Sequence, residues 1–453
     1  MKWNALKHQK TMNKKHIIIM LAAILPVVAS CGITKKYQRD ENVRSEGLYS
    51  FLEDNSQSLG SLKVSEVFTD PHLLALIDTL LLNNSDIQIA ELAMEQAKVG
   101  YSIGKDNLAP TLSFDPSVGY NTSTNFSYQV PVSLQWQLTF FGKLNTMRQA
   151  GASYRMSQDQ QQAVTSQMVA TMAANYYELV SLDAALALAD EAIRRWDELV
   201  KTMTSMKDAG LGNAVSIEQT KGQRADIAAT REEVIGKIYA MEANICALMR
   251  TPHHRIKRGT MAEQNFPEIL STGVSMEILD RRPDVRVSER NLEYYYYGQN
   301  IARSKFFPTL TLSATGLFNG QFIGDFIAGL SQPIFAGYKV AGNYKIAKAD
   351  YEKAKIEYEQ SLINAGREVF TYLGACNTCL AKKEHRVVQI ESLLKAVKYS
   401  RSLMMNGSAT YLEVLYANQD LLGAQNSVIS DWLEFSQNLV SLYLALGGGA
   451  EIR

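Results

Sequence analysis

Residues 132–251 contain no proline, and neither do residues 334–453, so two blocks of 120 residues lack the main helix breaker. Each block follows a segment that does carry it: Pro110, Pro116 and Pro131 before the first, Pro308 and Pro333 before the second. Proline removes a backbone donor and clashes with the preceding turn, so runs without it are where long helices persist. Equal length and equal placement point to a duplicated, mainly helical unit. With 46% hydrophobic residues, 20% charged and only 4 cysteines, a disordered, collagen-like or disulfide-stapled chain is excluded.

The hydrophobic period changes in a fixed order along the chain. Residues 32–70 are polar and irregular. From Pro71 apolar residues recur at helical spacing, and the stretch from Asn84 to Ala109 reads as helix up to Pro110. A period of two then takes over, with Leu112, Phe114, Val118 and Tyr120 followed by Phe126, Tyr128, Val130, Val132, Leu134, Trp136 and Leu138. This predicts a β-hairpin with one apolar and one polar face. Pro131 inside the second run predicts an edge strand or a bulge. After Gly142 a coiled-coil-like seam begins, Val164, Met168, Met172, Tyr176 and Leu179 being its first members. A helix from Lys143 to Asp208 would be about 100 Å long. Gly210-Leu211-Gly212-Asn213 reads as a helix stop followed by a start, and a second helix returns to about Arg250.

The second half repeats this order. Aligning Asp86 with Asp284 also pairs Gly100 with Gly298, Ile103 with Ile301, Pro110 with Pro308 and Thr111 with Thr309. Alternating segments at 310–318 and 322–330 follow, Gly337 matches Gly142, and Gly407 matches Gly210. The organisation expected is a leader over 1–30, an extension over 31–70 and two repeats. The first repeat covers 71–265, with a hairpin at 111–138 and a long helical hairpin at 143–250. The second covers 266–453, with a hairpin at 309–334 and a helical hairpin at 338–446.

Charge is unevenly spread although its sum is zero. Residues 1–30 hold five lysines and no acid, which leaves a net of −5 on the rest and argues against a nucleic-acid partner. The basic start leads into the apolar run 17–25, too short for a membrane span, and then Val28-Ala29-Ser30-Cys31. This reads as a secretory signal peptide, and Met12 offers a second start with a more compact basic region. The Val28–Cys31 segment resembles the bacterial lipobox, which implies acylation of Cys31 and tethering to the outer membrane, since Gly32 rather than Asp follows.

Four strands of about ten residues suit an outer membrane but cannot close, and an open edge in hydrocarbon costs several kcal/mol per unpaired group. Closure therefore demands several copies, and three would supply twelve strands. The helices are too long to plug such a barrel and must extend away from it.

Arg281-Arg282-Pro283-Asp284-Val285-Arg286 resembles a signature of the TolC-type outer-membrane efflux family, in its NodT/OprM-like lipoprotein branch. The segment 302–310 is similar to that family's helix-to-strand junction, and Ala445-Leu446-Gly447-Gly448-Gly449 to its C-terminal ending, with Ala450 where many members have Trp. The resemblance implies a homotrimer with a twelve-stranded β-barrel in the outer membrane and an α-barrel in the periplasm. It also implies docking to a periplasmic membrane fusion (adaptor) protein and an inner-membrane pump. Its adaptor-contact tips map to Gly210, Leu211 and Gly212 and to Gly407 and Ser408. Its acidic pore constriction maps to Glu413, while Tyr416 stands in place of a second acid and Ala409 in place of an Arg.

No phosphate-binding loop, HExxH or GxSxG is present, so no catalytic residue, metal or cofactor is expected beyond the lipid on Cys31. Cys376 and Cys379 have CxxC spacing inside a predicted helix, where packing is the simpler reading; the four tyrosines at 294–297 are read the same way. The function expected is a passive, non-enzymatic exit duct for small molecules. A duct for type I protein secretion and a non-conducting coiled-coil lipoprotein remain as alternatives.

Overall fold

Two helices of 67 residues and two of 35 embody the duplication. In this computed structural model residues 35–39, 59–121, 125–139, 141–210, 212–267, 281–318, 322–332 and 337–449 are described. The leader, Cys31, Leu211, Pro333 and Ala450 lie outside the described residues. The chain order is α1 (Pro71–Asn83), α2 (Ser85–Asp106), β1 (Thr111–Phe114), β2 (Ser117–Asn121), β3 (Asn125–Thr139), α3 (Gly142–Asp208) and α4 (Ala214–Leu248). It continues with α5 (Pro283–Ser304), β4 (Thr309–Phe318), β5 (Phe322–Ser331), α6 (Lys339–Met405) and α7 (Tyr411–Ala445).

The helical stretch that begins at Pro71 is two helices rather than one. Asn84 separates them with extended backbone; its side-chain oxygen accepts from the N–H of Asp86 (2.9 Å) and Ile87 (3.1 Å), capping α2. Its amide donates to the Leu248 carbonyl at 2.8 Å, so the break is also a tie.

The fold comprises two compact units. One takes in Val99–Ser153 and Asn291–Ala354 and holds every strand among the described residues. Its sheet is antiparallel in the order β1-β3-β4-β5, with β2 also paired to β3. The first hairpin differs from the sequence expectation, because its first strand is two pieces broken at Asp115-Pro116. The break lies opposite Val130 and Pro131, and the Asp115 N–H reaches the Pro131 carbonyl at 3.3 Å. Pro131 therefore sits in an interior strand, with the irregularity displaced onto its partner. In the same unit Phe141 meets Phe307 edge-on at 5.6 Å, and Gly104 and Gly298 admit Ala150 and Gln149 where a Cβ would stand 3.3 and 3.1 Å away.

The other unit takes in Asn42–Lys98, Tyr154–Arg290 and Lys355–Arg453. Its core is built by α1, α3, α4, α6 and α7 around Leu73, Leu80, Tyr176, Tyr177, Ile245 and Leu439. Each such side chain contributes roughly 1.5–3 kcal/mol by leaving water. Tyr177 packs against Phe266 at 5.4 Å and Trp432 at 5.9 Å. Cys376 is fully buried in this core, and burial pushes its thiol up to about 12, with Cys379 adding to the shift. The pair packs; neither thiol is an exposed thiolate.

Two polar ties cross this core. Arg258 donates to Asp183 (2.5 and 2.8 Å) and to Glu242 (2.5 Å). Asp70 accepts from the Tyr176 hydroxyl (2.5 Å), Gln264 (2.6 Å) and the His72 N–H (2.8 Å). Burial alone would raise the Asp70 carboxyl, but these three bonds outweigh it and hold it below the usual carboxylate range.

Candidate functional site

The β-sheet has two chemically distinct faces. Directly paired residues of antiparallel strands share a face, so the register assigns each side chain. Leu112 pairs with Leu134, Leu134 with Ala314 and Ala314 with Phe326, giving one apolar row across the whole sheet. Leu138, Leu310 and Leu330 form a second row. The opposite face carries Ser113, Ser133, Thr315 and Asp325, with Leu317, Ile323 and Ile327 as its apolar members on β4 and β5, and the Ser113 and Ser133 hydroxyls are 2.6 Å apart. Leu112, Phe114, Val118, Tyr120, Phe126 and Phe326 are exposed, so the apolar face has no cover within the unit. Aromatic residues lie at both ends of that face, Tyr128 toward the hairpin tip and Trp136 toward the helices. Eight residues of strand place them about 27 Å apart. Among the described residues no helix is long and apolar enough to cross a membrane.

The two helical hairpins of the other unit end in matching tips. Gly210 has φ +78° and Gly407 has φ +74°, a left-handed conformation that costs other L-residues roughly 1–2 kcal/mol. The Gly210 N–H donates to Lys207 at 2.9 Å; Gly407 and Ser408 donate to Met404 (3.0 Å) and Leu403 (2.9 Å), closing the ends of α3 and α6. Gly212 is needed for room, since a Cβ there would stand 3.1 Å from the Lys207 nitrogen. Each return helix is then capped. Asn213 accepts from the Ser216 N–H at 3.0 Å, and Glu413 accepts from the Thr410 N–H at 3.5 Å.

The tips are brought together. Tyr411 of the second hairpin donates to Gln219 of the first. Trp196, Met203, Ile217, Met404, Val414 and Leu415 make one buried cluster behind them. Gly210, Gly212 and Gly407 border a cavity of about 790 Å³ that also takes in Met203, Met206, Met404 and Thr410. Glu413 and Tyr416 are both exposed on the first turns of α7. Thus Gly210, Gly212, Gly407, Ser408 and Glu413 lie in one end of one unit, while Cys31 and Leu211 are outside the described residues. Among the described residues no cluster of three or more His, Cys, Asp or Glu side chains could hold a metal.

Residues 76–250 and 274–448 each match the outer membrane efflux protein family, one match per repeat. The chain belongs to that family. It is 26% identical to the cation efflux system protein CusC of Escherichia coli K12, over 93% of this chain and 97% of the relative. It is 26% identical to the probable outer membrane lipoprotein SilC of Salmonella typhimurium, over 84% of this chain and 87% of the relative. Its fold matches that of the outer-membrane channel OprN with a TM-score of 0.84 at 19% identity, over 93% of this chain and all of OprN.

Within this efflux-family fold the Arg281–Arg286 segment has a structural task. Arg282 is buried and donates to both oxygens of Asp284 (3.0 and 2.7 Å) and to Glu368 (2.7 Å). Beside it the glycine ending fits closely: a Cβ on Gly448 would fall 2.4 Å from the Tyr443 ring, and the Gly449 N–H donates to the Tyr443 hydroxyl at 3.0 Å. Sequence reasoning missed the Asp70 and Arg258 ties. Both join residues far apart in the chain, and neither leaves a periodic or spacing signal.

Proposed function

We propose that the chain is one subunit of a homotrimeric outer-membrane exit duct in a tripartite efflux system. The observation that carries this reading is the two-faced sheet. It is four strands wide, its apolar face is uncovered, and its outer strands β1, β2 and β5 each pair on one side only among the described residues. Such a sheet suits a bilayer only when further copies pair its edges, and three copies bring twelve strands with the polar face inward. The α6 helix supports assembly as well. Ile356, Ile363, Phe370, Leu380, Val387 and Leu394 are exposed along it at intervals of seven and ten residues, a stripe that suits a neighbouring helix.

Family membership and the relative named as a cation efflux system protein favour small solutes or ions as cargo, which the duct would pass without coupling energy itself. The paired tips are the surface we assign to a periplasmic adaptor protein, itself joined to an inner-membrane pump. The Glu413 carboxylates of three subunits would form an acidic constriction favouring cations. An acyl group on Cys31 would hold the N-terminus at the outer membrane. Purified protein reconstituted in planar bilayers tests the reading: a trimer with defined single-channel conductance is expected, and a monomer that never conducts would overturn it.

A further inference from the structure

Four consecutive tyrosines on α5 have a use beyond packing. The backbone N–H of Tyr37 donates to the hydroxyl of Tyr297 at 3.2 Å, and the Tyr296 hydroxyl donates to the Lys35 carbonyl at 3.5 Å. The rings of Tyr37 and Tyr296 meet edge-on with centroids 5.8 Å apart. Tyr296 in turn meets Tyr351 of α6 edge-on at 5.9 Å. Tyr297 is only 4% exposed, so its hydroxyl is held in place to accept. Residues 35–39 form no helix or strand, yet they are bound here through both backbone and ring contacts. Segment and tyrosines belong to the compact unit that carries the sheet.

We propose that Tyr296, Tyr297 and Tyr351 form a dock for this chain's own Lys35–Arg39 segment, fixing where the N-terminal extension joins the sheet-bearing unit. Tyrosine suits the task, since it supplies large rigid contact area and a hydroxyl while immobilising few rotatable bonds. The consequence rests on the reading of Cys31 as the acylated residue. Cys31 precedes Lys35 by four residues, a reach of at most about 14 Å for extended chain. A docked segment therefore confines the backbone of Cys31, the attachment point of the lipid, to within that distance of Lys35, and so limits where the anchor can sit relative to the sheet.

Amide hydrogen exchange on the purified full chain tests this directly. Tyr37 is expected to exchange at least tenfold more slowly than an unstructured amide, and Tyr297→Phe, which removes the acceptor, should abolish that protection. Unchanged protection of the α5 amides in the variant shows that the fold is intact. Tyr37 exchanging at the unstructured rate in the natural protein, or protection unaffected by Tyr297→Phe, would overturn the dock. Mass analysis of the N-terminal peptide separates the two readings. A free Cys31 beside a protected Tyr37 removes the anchor and sustains the dock; an acylated Cys31 beside an unprotected Tyr37 removes the dock.

Discussion

Arg282 Nη1 donates to the carbonyl oxygen of Ala445 at 2.9 Å, joining residues 163 positions apart at the start of α5 and the end of α7. The last carbonyls of a helix have no partner within it, so this bond satisfies one of them. The same guanidinium grips Asp284 and Glu368, and it holds the Asp284 carboxyl below its usual range although burial acts the other way. A single fork thus fastens three helices of one unit.

Arg282→Ala should lower stability by roughly 1.5–3 kcal/mol, because it removes charge-assisted bonds to Asp284, Glu368 and the Ala445 carbonyl, while both carboxylates keep contact with water. Arg282→Lys should recover only part of the loss, since an ammonium cannot replace the two-pronged contact with Asp284. Thermal unfolding followed by circular dichroism checks both; equal melting temperatures for Arg282→Ala and the natural protein would deny the fork its role.

At the tips the glycines make separable demands. Gly407→Ala places a Cβ in open space, so its cost is backbone strain alone, about 1–2 kcal/mol. Gly212→Ala instead crowds the Lys207 backbone. Hydrogen exchange should show faster opening of the last turn of α6 in Gly407→Ala, with the core around Tyr177 unaffected. Equal exchange at that turn would mean another residue tolerates the left-handed conformation there.

Much of the fold was legible because it is local. A proline-free block and a seam spaced by three or four specify α3, the repeat carries that reading over to α6, and seven alternations specify β3, including its face. The broken first strand was not legible: Leu112 to Tyr120 keeps its alternation through Asp115-Pro116, and only the pairing with Pro131 places the gap. Gly210 and Gly407 announced their tips because a turn of this kind needs glycine. The Tyr296–Tyr297 dock was half visible, since four tyrosines stand out while the polar segment that meets them has no period. Glu413 was reached only through the family resemblance, as a pore acid, and its bond to Thr410 at the start of α7 carried no signal that was read. The Asp70–Gln264 tie, spanning 194 residues, had no signal of its own.

That tie predicts acid sensitivity with a definite sign. The folded Asp70 carboxyl titrates below its usual value, so its bonds stabilise the fold above the unfolded value of about 4 and are lost as pH falls through the folded one. Asp70→Asn should remove this part of the acid dependence while lowering stability at neutral pH. Melting temperatures measured from pH 7 down to pH 3 test it: parallel curves for the two proteins would exclude Asp70 as a contributor.

Glu413 can serve as a helix cap and as a pore charge, and two substitutions separate those duties. Its carboxylate accepts the Thr410 N–H in the first turn of α7, where an acid also complements the helix dipole by roughly 0.3–1 kcal/mol. Glu413→Gln keeps an acceptor at the same reach but removes the charge; Glu413→Ala removes both. If three such carboxylates line a constriction, both variants should lower the cation-to-anion permeability ratio in bilayers, by a similar factor. Only Glu413→Ala should also loosen the first turn of α7 in hydrogen exchange. Loosening in Glu413→Ala with reversal potentials unchanged in both variants would leave Glu413 as a cap alone, and the constriction would have to be sought elsewhere along α6 or α7.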